Sequence, residues 1–146
     1  MMVKIDMPYI LDFYPLQTEE FTQIHSFFEN LKEGKFTTTK CKKCGEILWQ
    51  PRIVCPHCSG NEMDWIDLPQ EGKLFAFTEV FYGVPLGLEQ DAPFSIGIVE
   101  LDGLPMSVLA RIDDAHFEDL EVGQEMKLKI INLEDGRVWF RWEPKK

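Results

Sequence analysis

The sequence predicts a mainly β protein with an N-terminal helix, a zinc ribbon and then a five-stranded OB-fold Greek-key barrel. Two Cys-x-x-Cys pairs, separated by ten residues, indicate the ribbon. From residue 71 onward apolar residues alternate between turn signals, which predicts strands rather than helices. We therefore expect an N-terminal arm and helix at 1–34, the ribbon at 35–68 and the barrel at 69–146.

The N-terminal arm, residues 1–16, is apolar and aromatic without a clear period, and Pro8 and Pro15 argue against a continuous helix. So many aromatic side chains need cover, either on this chain or on a partner protein. Both possibilities remain open from the sequence. The arm's candidate partner-binding residues are Tyr9, Phe13 and Tyr14.

Residues 18–33 are predicted to form the helix, with Thr18 as its N-cap and Gly34 just after its last turn. Apolar side chains recur at helical spacing and predict one buried face. The members of that face are Phe21, Ile24, Phe28 and Leu31, with Phe27 at its edge. His25 is expected at the flank of this face rather than in a catalytic role.

The two cysteine pairs contain every cysteine of the chain, and their spacing suits a tetrahedral four-sulfur zinc site. The predicted metal ligands are Cys41, Cys44, Cys55 and Cys58. Four thiolates leave no open position for water, so we interpret the zinc as structural rather than catalytic. A redox Cys-x-x-Cys pair, two disulfides and a rubredoxin-type iron site are the alternatives. His57 is expected at the surface or beside the ligands.

The ten residues between the pairs are long enough for a small β-hairpin, with limbs at 47–49 and 52–54. Residues 63–68 are interpreted as a linker to the barrel, with Trp65 and Ile66 packed between the two units.

The stretch from Lys35 to Arg52, with five bases and one acid, is the one basic island of an acidic chain. The net charge is −10, and residues 67–146 hold 16 acids against 8 bases. Such a surface repels nucleic-acid backbones, which weighs against a general nucleic-acid binder. The basic island either offsets the charge of the zinc site and neighbouring acids or binds the phosphates of a ligand. The candidate anion-binding residues are Lys40, Lys42, Lys43 and Arg52.

Five strands are predicted for the barrel, with a helical turn around Phe117 and Leu120 between the third and the fourth. In the first strand, Phe75, Phe77 and Phe81 are expected to share one face. A long loop with two glycines and two prolines follows at 83–93. The predicted strands are 73–82, 94–101, 104–112, 124–133 and 138–142.

The sequence contains no nucleophile elbow, phosphate-binding loop or paired-histidine motif, and no cysteine outside the two pairs. Asp113 and Asp114 are interpreted as helix-capping residues rather than as an acid/base pair. We expect a binding or assembly module and not an enzyme. No apolar run approaches the length of a membrane span and no signal peptide is visible, so we expect a cytoplasmic protein with no membrane contact.

The order of these parts resembles the DUF35 family. The resemblance rests on Gly34-Lys35-Phe36 after the helix, Cys-x-x-Cys-Gly at 41–45, Pro51-Arg52, Cys-Pro-x-Cys at 55–58, and Val122-Gly123 before the fourth barrel strand. Members combine a rubredoxin-like zinc ribbon with an OB-fold and are described as associated with acyl-CoA. The resemblance covers roughly residues 20–143.

The resemblance implies a non-catalytic accessory or scaffold subunit of acyl-CoA enzymes. In archaea such proteins help to organise a thiolase with hydroxymethylglutaryl-CoA synthase, and in bacteria others partner thiolase-like or hydratase-like proteins. It makes the four basic residues candidates for CoA phosphates. It also makes the 83–93 loop a candidate contact for pantetheine or a partner, through Pro85, Leu86 and Leu88.

Two other classes stay open. OB barrels and ribbons also bind single-stranded nucleic acid, and Trp139-Phe140-Arg141-Trp142 is the one stretch with interleaved aromatic and basic residues. Its alternation fits core packing better. An independent acyl-CoA enzyme is the remaining alternative.

Overall fold

A computed structural model describes residues 14–84 and 88–146, and it confirms the predicted fold class. Helix α1 is His25–Lys32. The ribbon strands are β1 Thr37–Cys41, β2 Ile47–Leu48 and β3 Met63–Asp67. The barrel strands are β4 Glu71–Val80, β5 Phe94–Leu101, β6 Ser107–Ile112, β7 Glu125–Asn132 and β8 Val138–Pro144. Short 3-10 helices lie at Glu89–Asp91 and Phe117–Asp119.

The helix is half as long as predicted, and the expected Thr18 cap is wrong. The carbonyl of Thr18 accepts hydrogen bonds from the N–H groups of Phe21 and Thr22, which closes a separate turn before the helix starts. The Phe21 side chain is 57% exposed, so it does not belong to the buried face. That face consists of Phe27, Phe28 and Leu31. Gly34 has a φ of 83°, a value that glycine adopts without strain at the end of a helix.

The ribbon is a three-stranded antiparallel sheet in the order β2-β1-β3. The predicted hairpin between residues 47–49 and 52–54 is wrong, because β2 pairs with β1, placing Leu48 opposite Thr39. The interpretation of 63–68 as a linker is also wrong, because residues 63–67 form β3 and pair with β1 along its whole length. The β-strand propensity of β1 is visible in the sequence, but the two strands that pair with it are decided by contacts between residues apart in the chain.

The barrel is closed in the order β4-β5-β6-β8-β7, with β4 and β7 completing the ring. All pairs are antiparallel except β6 and β8, which run parallel. Val138, Phe140 and Trp142 are buried on one face of β8, as their alternation indicated. The indole N–H of Trp142 donates to the carbonyl of Val108 at 3.1 Å, which satisfies its polar atom in the core.

A β-bulge in β4 changes which phenylalanines face inward. Leu74 pairs with Val99, and the next pair is Ala76 with Ile98, so Phe75 is an extra residue. Phe75 is 58% exposed, whereas Phe77 packs against the core with its ring 5.5 Å from that of Phe117. The expectation that both share one face is therefore wrong, because the bulge reverses the alternation.

Aromatic packing joins the helix, the ribbon and the barrel into one core. The ring of Phe36, just before β1, lies 5.4 Å from Trp49 and 5.4 Å from Phe140. Phe27 from the helix lies 6.2 Å from Phe140. Residues before the helix are also attached to the barrel, because the side-chain amide of Gln17 exchanges two hydrogen bonds with the backbone of Val138. The relative position of ribbon and barrel is thus set by packed side chains.

Candidate functional site

The two cysteine pairs occupy matching backbone turns. The N–H of Gly45 donates to the carbonyl of Cys41, and the N–H of Ser59 donates to that of Cys55, each at 2.9 Å. Cys41 and Cys55 also donate their own N–H groups to the carbonyls five residues ahead. Both cysteine pairs therefore have the same backbone conformation, which directs their sulfurs towards a common centre.

The four sulfurs fit one metal ion. The ligand atoms of Cys41, Cys44, Cys55 and Cys58 all lie within 4.8 Å of one another. Two of the sulfur pairs, one joining Cys41 to Cys58 and the other Cys44 to Cys55, are separated by 3.5 Å. Sulfurs bound at about 2.3 Å from one zinc ion lie about 3.8 Å apart in a tetrahedron, so the cluster needs little adjustment to hold zinc.

Hydrogen bonds and burial shift the pKa values of the thiols in opposite directions. The backbone N–H of Cys44 is the main cause that lowers the pKa of Cys41 to about 6. The N–H of Glu46 lowers the pKa of Cys44, but desolvation and the neighbouring thiols outweigh it and raise that pKa to about 12. Close thiolates repel one another, and a divalent cation bound among them would offset that repulsion.

Glycine leaves room beside the sulfurs at one position. A Cβ on Gly60 would lie 3.2 Å from the sulfur of Cys58 and 3.4 Å from that of Cys41. These contacts are tighter than ordinary packing, so the bare backbone lets the second turn close over the cluster. His57 lies outside this cluster. Its side chain is exposed and its Nε2 is 3.6 Å from a carboxylate oxygen of Glu46.

The four candidate anion-binding residues are all exposed, but the structure brings only two of them together. Lys42 and Lys43 line one surface depression with Ser59 and Asn61, next to the second cysteine turn. The ammonium of Lys42 is 3.6 Å from a carboxylate oxygen of Asp64. Lys40 and Arg52 lie outside that depression.

A groove of about 450 Å³, which sequence reasoning missed, lies between the ribbon and the outer face of the barrel. Trp49 and Gln50 form its ribbon side. Outward positions of the barrel strands, including Leu109 on β6 and Trp139 on β8, form the other side. A second cavity of about 160 Å³ shares Trp49 and Trp139 with it and continues towards the helix. The one sequence signal was that several outward positions are apolar: Phe94, Ile96 and Ile98 on β5 and Leu109 on β6.

Two arginines line the groove and are held by carboxylates. Arg111 donates to Asp91 at 2.9 Å, and its guanidinium lies 4.7 Å from the ring centroid of Phe94. Arg141 donates to Asp113 at 3.1 Å. Asp113 is thus an ion-pair residue and not the helix cap expected from the sequence.

Its neighbour Asp114 has a φ of 58° and pairs with Lys129. The pKa of Asp114 is lowered by a hydrogen bond to Glu143 and by Lys129. The cap position of the following 3-10 helix is His116, without a side-chain cap bond.

The candidate partner-binding residues divide into two groups. Tyr9, Phe13, Pro85 and Leu86 lie outside the described residues. Tyr14 lines the groove, and its hydroxyl accepts a hydrogen bond from Arg141 at 3.1 Å. Leu88 also lines the groove, but it is only 7% exposed and so belongs to its wall more than to an outer surface.

The fold and the four-sulfur cluster define a protein with a rubredoxin-like ribbon followed by an OB-fold domain. Residues 28–64 match the family model described as the ChsH2 rubredoxin-like zinc ribbon domain, and residues 65–130 match the ChsH2 C-terminal OB-fold domain. A DUF35 domain-containing scaffold protein of Methanocaldococcus jannaschii is 30% identical over 99 residues, which cover 66% of this chain and 69% of that protein. The chain belongs to the DUF35 family.

Two further comparisons extend this relationship. The benzoylsuccinyl-CoA thiolase subunit BbsA of Thauera aromatica is 29% identical over 98 residues, which cover 67% of this chain and 65% of that protein. A chain of the solved structure described as Ltp2-ChsH2(DUF35) aldolase superposes with a TM-score of 0.69 at 18% identity, covering 82% of this chain and 91% of that one. At that identity the superposition shows a shared fold.

Within residues 14–84 and 88–146, no helix combines the length and the apolar character needed to cross a membrane.

Proposed function

We propose that this chain is a non-catalytic accessory subunit that binds an enzyme acting on acyl-CoA, with a thiolase-like enzyme as the partner. The observation that carries the proposal is the 29% identity with a subunit of benzoylsuccinyl-CoA thiolase. Relatives named as scaffold proteins point to the same role. In an assembly with a second enzyme such as hydroxymethylglutaryl-CoA synthase, the subunit raises the local concentration of a bound intermediate.

An exposed apolar surface on the barrel supports a protein partner. Phe75, the extra residue of the β4 bulge, is 58% exposed. Phe81 and Tyr82, at the end of β4, are 57% and 93% exposed. Large apolar side chains grouped on one face typify interaction surfaces, because their exposure to water is unfavourable.

Lys42 and Lys43 are the proposed contacts for the phosphates of CoA. They line the same depression as the Ser59 hydroxyl and the Asn61 amide, which are further hydrogen-bond donors. Two carboxylates reduce the net positive charge there: Glu62 lines the depression, and Asp64 lies 3.6 Å from the ammonium of Lys42, so Lys43 is expected to contribute more. Lys40 and Arg52 would contact the ligand only where a long ligand extends across the ribbon.

We also propose that the metal is a structural zinc ion held by all four cysteines. The ion would supply the link between the two cysteine turns, and four sulfur ligands leave no position for a reacting water. The cysteines themselves hold the turns in register through their backbone hydrogen bonds.

The proposal is tested by affinity purification of the tagged full chain from its native extract, followed by mass spectrometry. The expected result is co-purification of a thiolase-like or other acyl-CoA enzyme in a stable ratio. Phe75→Glu should reduce its recovery at least tenfold, because a buried charge opposes docking. Phe21→Glu is the matched control, since Phe21 is 57% exposed in the turn before the helix and lies outside the groove and outside β4.

Recovery of nucleic acid without any acyl-CoA enzyme would overturn the proposal in favour of a single-stranded nucleic-acid binder. The β4–β6 region, residues 71–112, offers little to phosphates, because its only bases are Lys73 and Arg111 and Arg111 is paired with Asp91. We therefore expect no oligonucleotide binding near physiological salt.

CoA contact is tested separately by calorimetric titration of the isolated chain and of the co-purified complex with CoA. Lys43→Glu should weaken binding by about tenfold and reduce its dependence on salt concentration, because it removes one phosphate contact and adds a repelling charge. Lys32→Glu, a change at an exposed lysine of the helix, is the control. Equal CoA affinity in Lys43→Glu and the unaltered chain would exclude the lysine site.

A further inference from the structure

The groove between the ribbon and the barrel has the size and lining of a small-molecule site. Its volume of about 450 Å³ falls in the usual range for ligand pockets, and apolar side chains make up most of its walls. They come from both units, so the groove exists only where ribbon and barrel meet. The apolar lining residues that carry the inference are Trp49, Leu88, Phe94, Ile96, Leu109 and Trp139.

The apolar character of the barrel strands on this side is not needed for the core. On β6, Val108 and Ala110 are buried inside the barrel, while Leu109 points outward and remains 59% exposed. An outward position on a barrel strand is normally polar, because it faces water. A bound apolar group would remove this surface from water and so account for it.

The polar end of the groove offers hydrogen-bond donors without net charge. Arg111, Arg141 and Lys129 are matched by Asp91, Asp113 and Asp114 in one group of ion pairs. Because cations and carboxylates are equal in number, a ligand carboxylate would meet no excess positive charge. Each guanidinium carries five N–H donors, and among the described residues Arg111 uses one of them in a hydrogen bond, to Asp91.

We propose that this groove binds the uncharged acyl portion of a thioester. The acyl chain lies between Trp49 and the outward side chains Leu109 and Trp139, and the carbonyl oxygen accepts a hydrogen bond from Arg111 or Arg141. The inference rests on the proposed function, from which the thioester class is taken. It goes further by assigning the acyl group to this chain, in a site separate from the lysines proposed for the CoA phosphates.

The test uses N-acetylcysteamine thioesters, which carry the acyl group but no nucleotide and no phosphate. Hexanoyl, octanoyl and decanoyl thioesters are titrated into the full chain, and the tryptophan fluorescence is followed because Trp49 and Trp139 line the groove. Each added methylene should lower Kd about two- to fourfold, in line with the transfer of about 0.8 kcal/mol per buried methylene. Octanoate should bind at least tenfold more weakly than the octanoyl thioester. Its carboxylate must lose its hydration on binding, and the groove has no unpaired cation to compensate for that loss.

The matched variants are Leu109→Glu and Val122→Glu. Both residues are exposed, at 59% and 70%, so neither change disturbs the core. Leu109→Glu should raise Kd for the octanoyl thioester more than tenfold, and Val122→Glu should leave it within twofold. A second variant, Arg111→Gln, should reduce the preference for thioester over the octyl thioether that lacks the carbonyl, while binding of the thioether itself is retained.

Three results would overturn the proposal: no saturable thioester binding, a Kd independent of chain length, or equal affinity in Leu109→Glu and the unaltered chain. Loss of the co-purified enzyme in Leu109→Glu, with no thioester binding by the unaltered chain, would assign the groove to a protein partner instead. These outcomes are separable from failure of the proposed function, because the thioester titration contains neither CoA nor a partner enzyme.

Discussion

The ribbon and the barrel are stabilised by different means, although both are small antiparallel sheets. In the ribbon, the buried cluster around the sulfurs consists of Cys41, Leu48 and Cys55, with Cys58 and Met63 packed against it. In the barrel, large apolar side chains from every strand fill one core that extends to the helix. A unit with so few buried apolar groups cannot offset the entropy of ordering its chain, whereas the barrel can.

The difference indicates that the proposed zinc would stabilise the ribbon as apolar burial stabilises the barrel. With the proposed zinc ion bound, four sulfur–metal bonds would stabilise the ribbon, which contacts the barrel through the rings of Phe36 and Trp49 against Phe140. The barrel needs no metal, because closure pairs its strand edges and its side chains pack to the centre. Loss of the metal should therefore unfold one unit and spare the other.

The largest effect is expected for Cys44→Ser. Structural zinc contributes about 10–16 kcal/mol of apparent binding free energy in zinc-finger peptides, so removing one ligand should cost the ribbon its fold. Amide hydrogen exchange should show lost protection in β1 and β3 and retained protection in β7 and β8. Zinc content measured by mass spectrometry should fall from one ion per chain to less than one tenth.

His57→Ala is the control for that change, because His57 adjoins Cys58 in the sequence but is exposed. The His57→Ala protein should retain the zinc ion and the protection of β1 against hydrogen exchange. A Cys44→Ser protein with full zinc content and a protected β1 would contradict the view that the metal stabilises the ribbon and not the barrel.

A change in the barrel core should have the next largest effect. Trp142 is fully buried and its indole donates to Val108, so Trp142→Ala leaves a cavity and removes that hydrogen bond. The free energy of unfolding should fall by about 3–5 kcal/mol in urea denaturation. Zinc affinity should change little, because no sulfur ligand is touched. Val122→Ala, at an exposed site, should change stability by less than about 0.5 kcal/mol.

A smaller loss is expected for Asp135→Asn. Arg137 is 7% exposed, and Asp135 pairs with its guanidinium at 2.8 Å. Removing the carboxylate leaves a buried cation with one partner fewer, which should lower the free energy of unfolding by about 1.5–3 kcal/mol. Chemical denaturation at pH 7 measures this loss.

The same pair predicts a pH dependence. The hydrogen bond from Arg137 holds the pKa of Asp135 below its ordinary value of 3.8. A carboxyl whose pKa is lower in the folded state stabilises the protein above the unfolded pKa and loses that contribution as pH falls through the folded value. The stability difference between the unaltered chain and Asp135→Asn should stay constant above about pH 5 and narrow below pH 3.8. A difference that widened in acid would exclude this ion pair as its cause.

The smallest effect concerns the contact between the two units. The rings of Phe36 and Phe140 are 5.4 Å apart, and aromatic pairs contribute about 0.5–1.5 kcal/mol beyond burial. A double-mutant cycle of Phe36→Leu and Phe140→Leu should give a coupling energy in that range. The cycle of Phe36→Leu with Val122→Ala should give coupling within about 0.5 kcal/mol of zero. Equal values in the two cycles would mean that the rings do not couple the units.

Much of the local structure was predictable from the sequence, and the errors of the prediction have identifiable causes. β5 was predicted to the residue, because its apolar run ends at an Asp-Gly turn. The helix was predicted too long, because Phe21 fits the helical spacing although nothing covers it. The faces of β4 were wrong after Leu74, because a bulge has no mark in an alternating pattern.

The candidate site also has one part that the sequence predicted and one part that it did not. The cysteine spacing predicted a four-sulfur cluster, since each pair is a local turn and the intervening chain is short. The groove was not predicted. Its walls come from residues far apart in the chain, such as Trp49 and Leu109. Closure of the barrel buries only one face of β5 and β6. The other face is apolar where it borders the groove.

By itself the sequence determined the elements whose causes are local: the cysteine turns, the alternation of the barrel strands, and the turns that separate them. The tertiary structure alone decided how β3 joins the ribbon, how the bulge orients β4, and where ribbon and barrel face each other across the groove. The physical reason is that turn geometry and side-chain alternation act between near neighbours, whereas strand pairing and packing act between residues that only folding brings together.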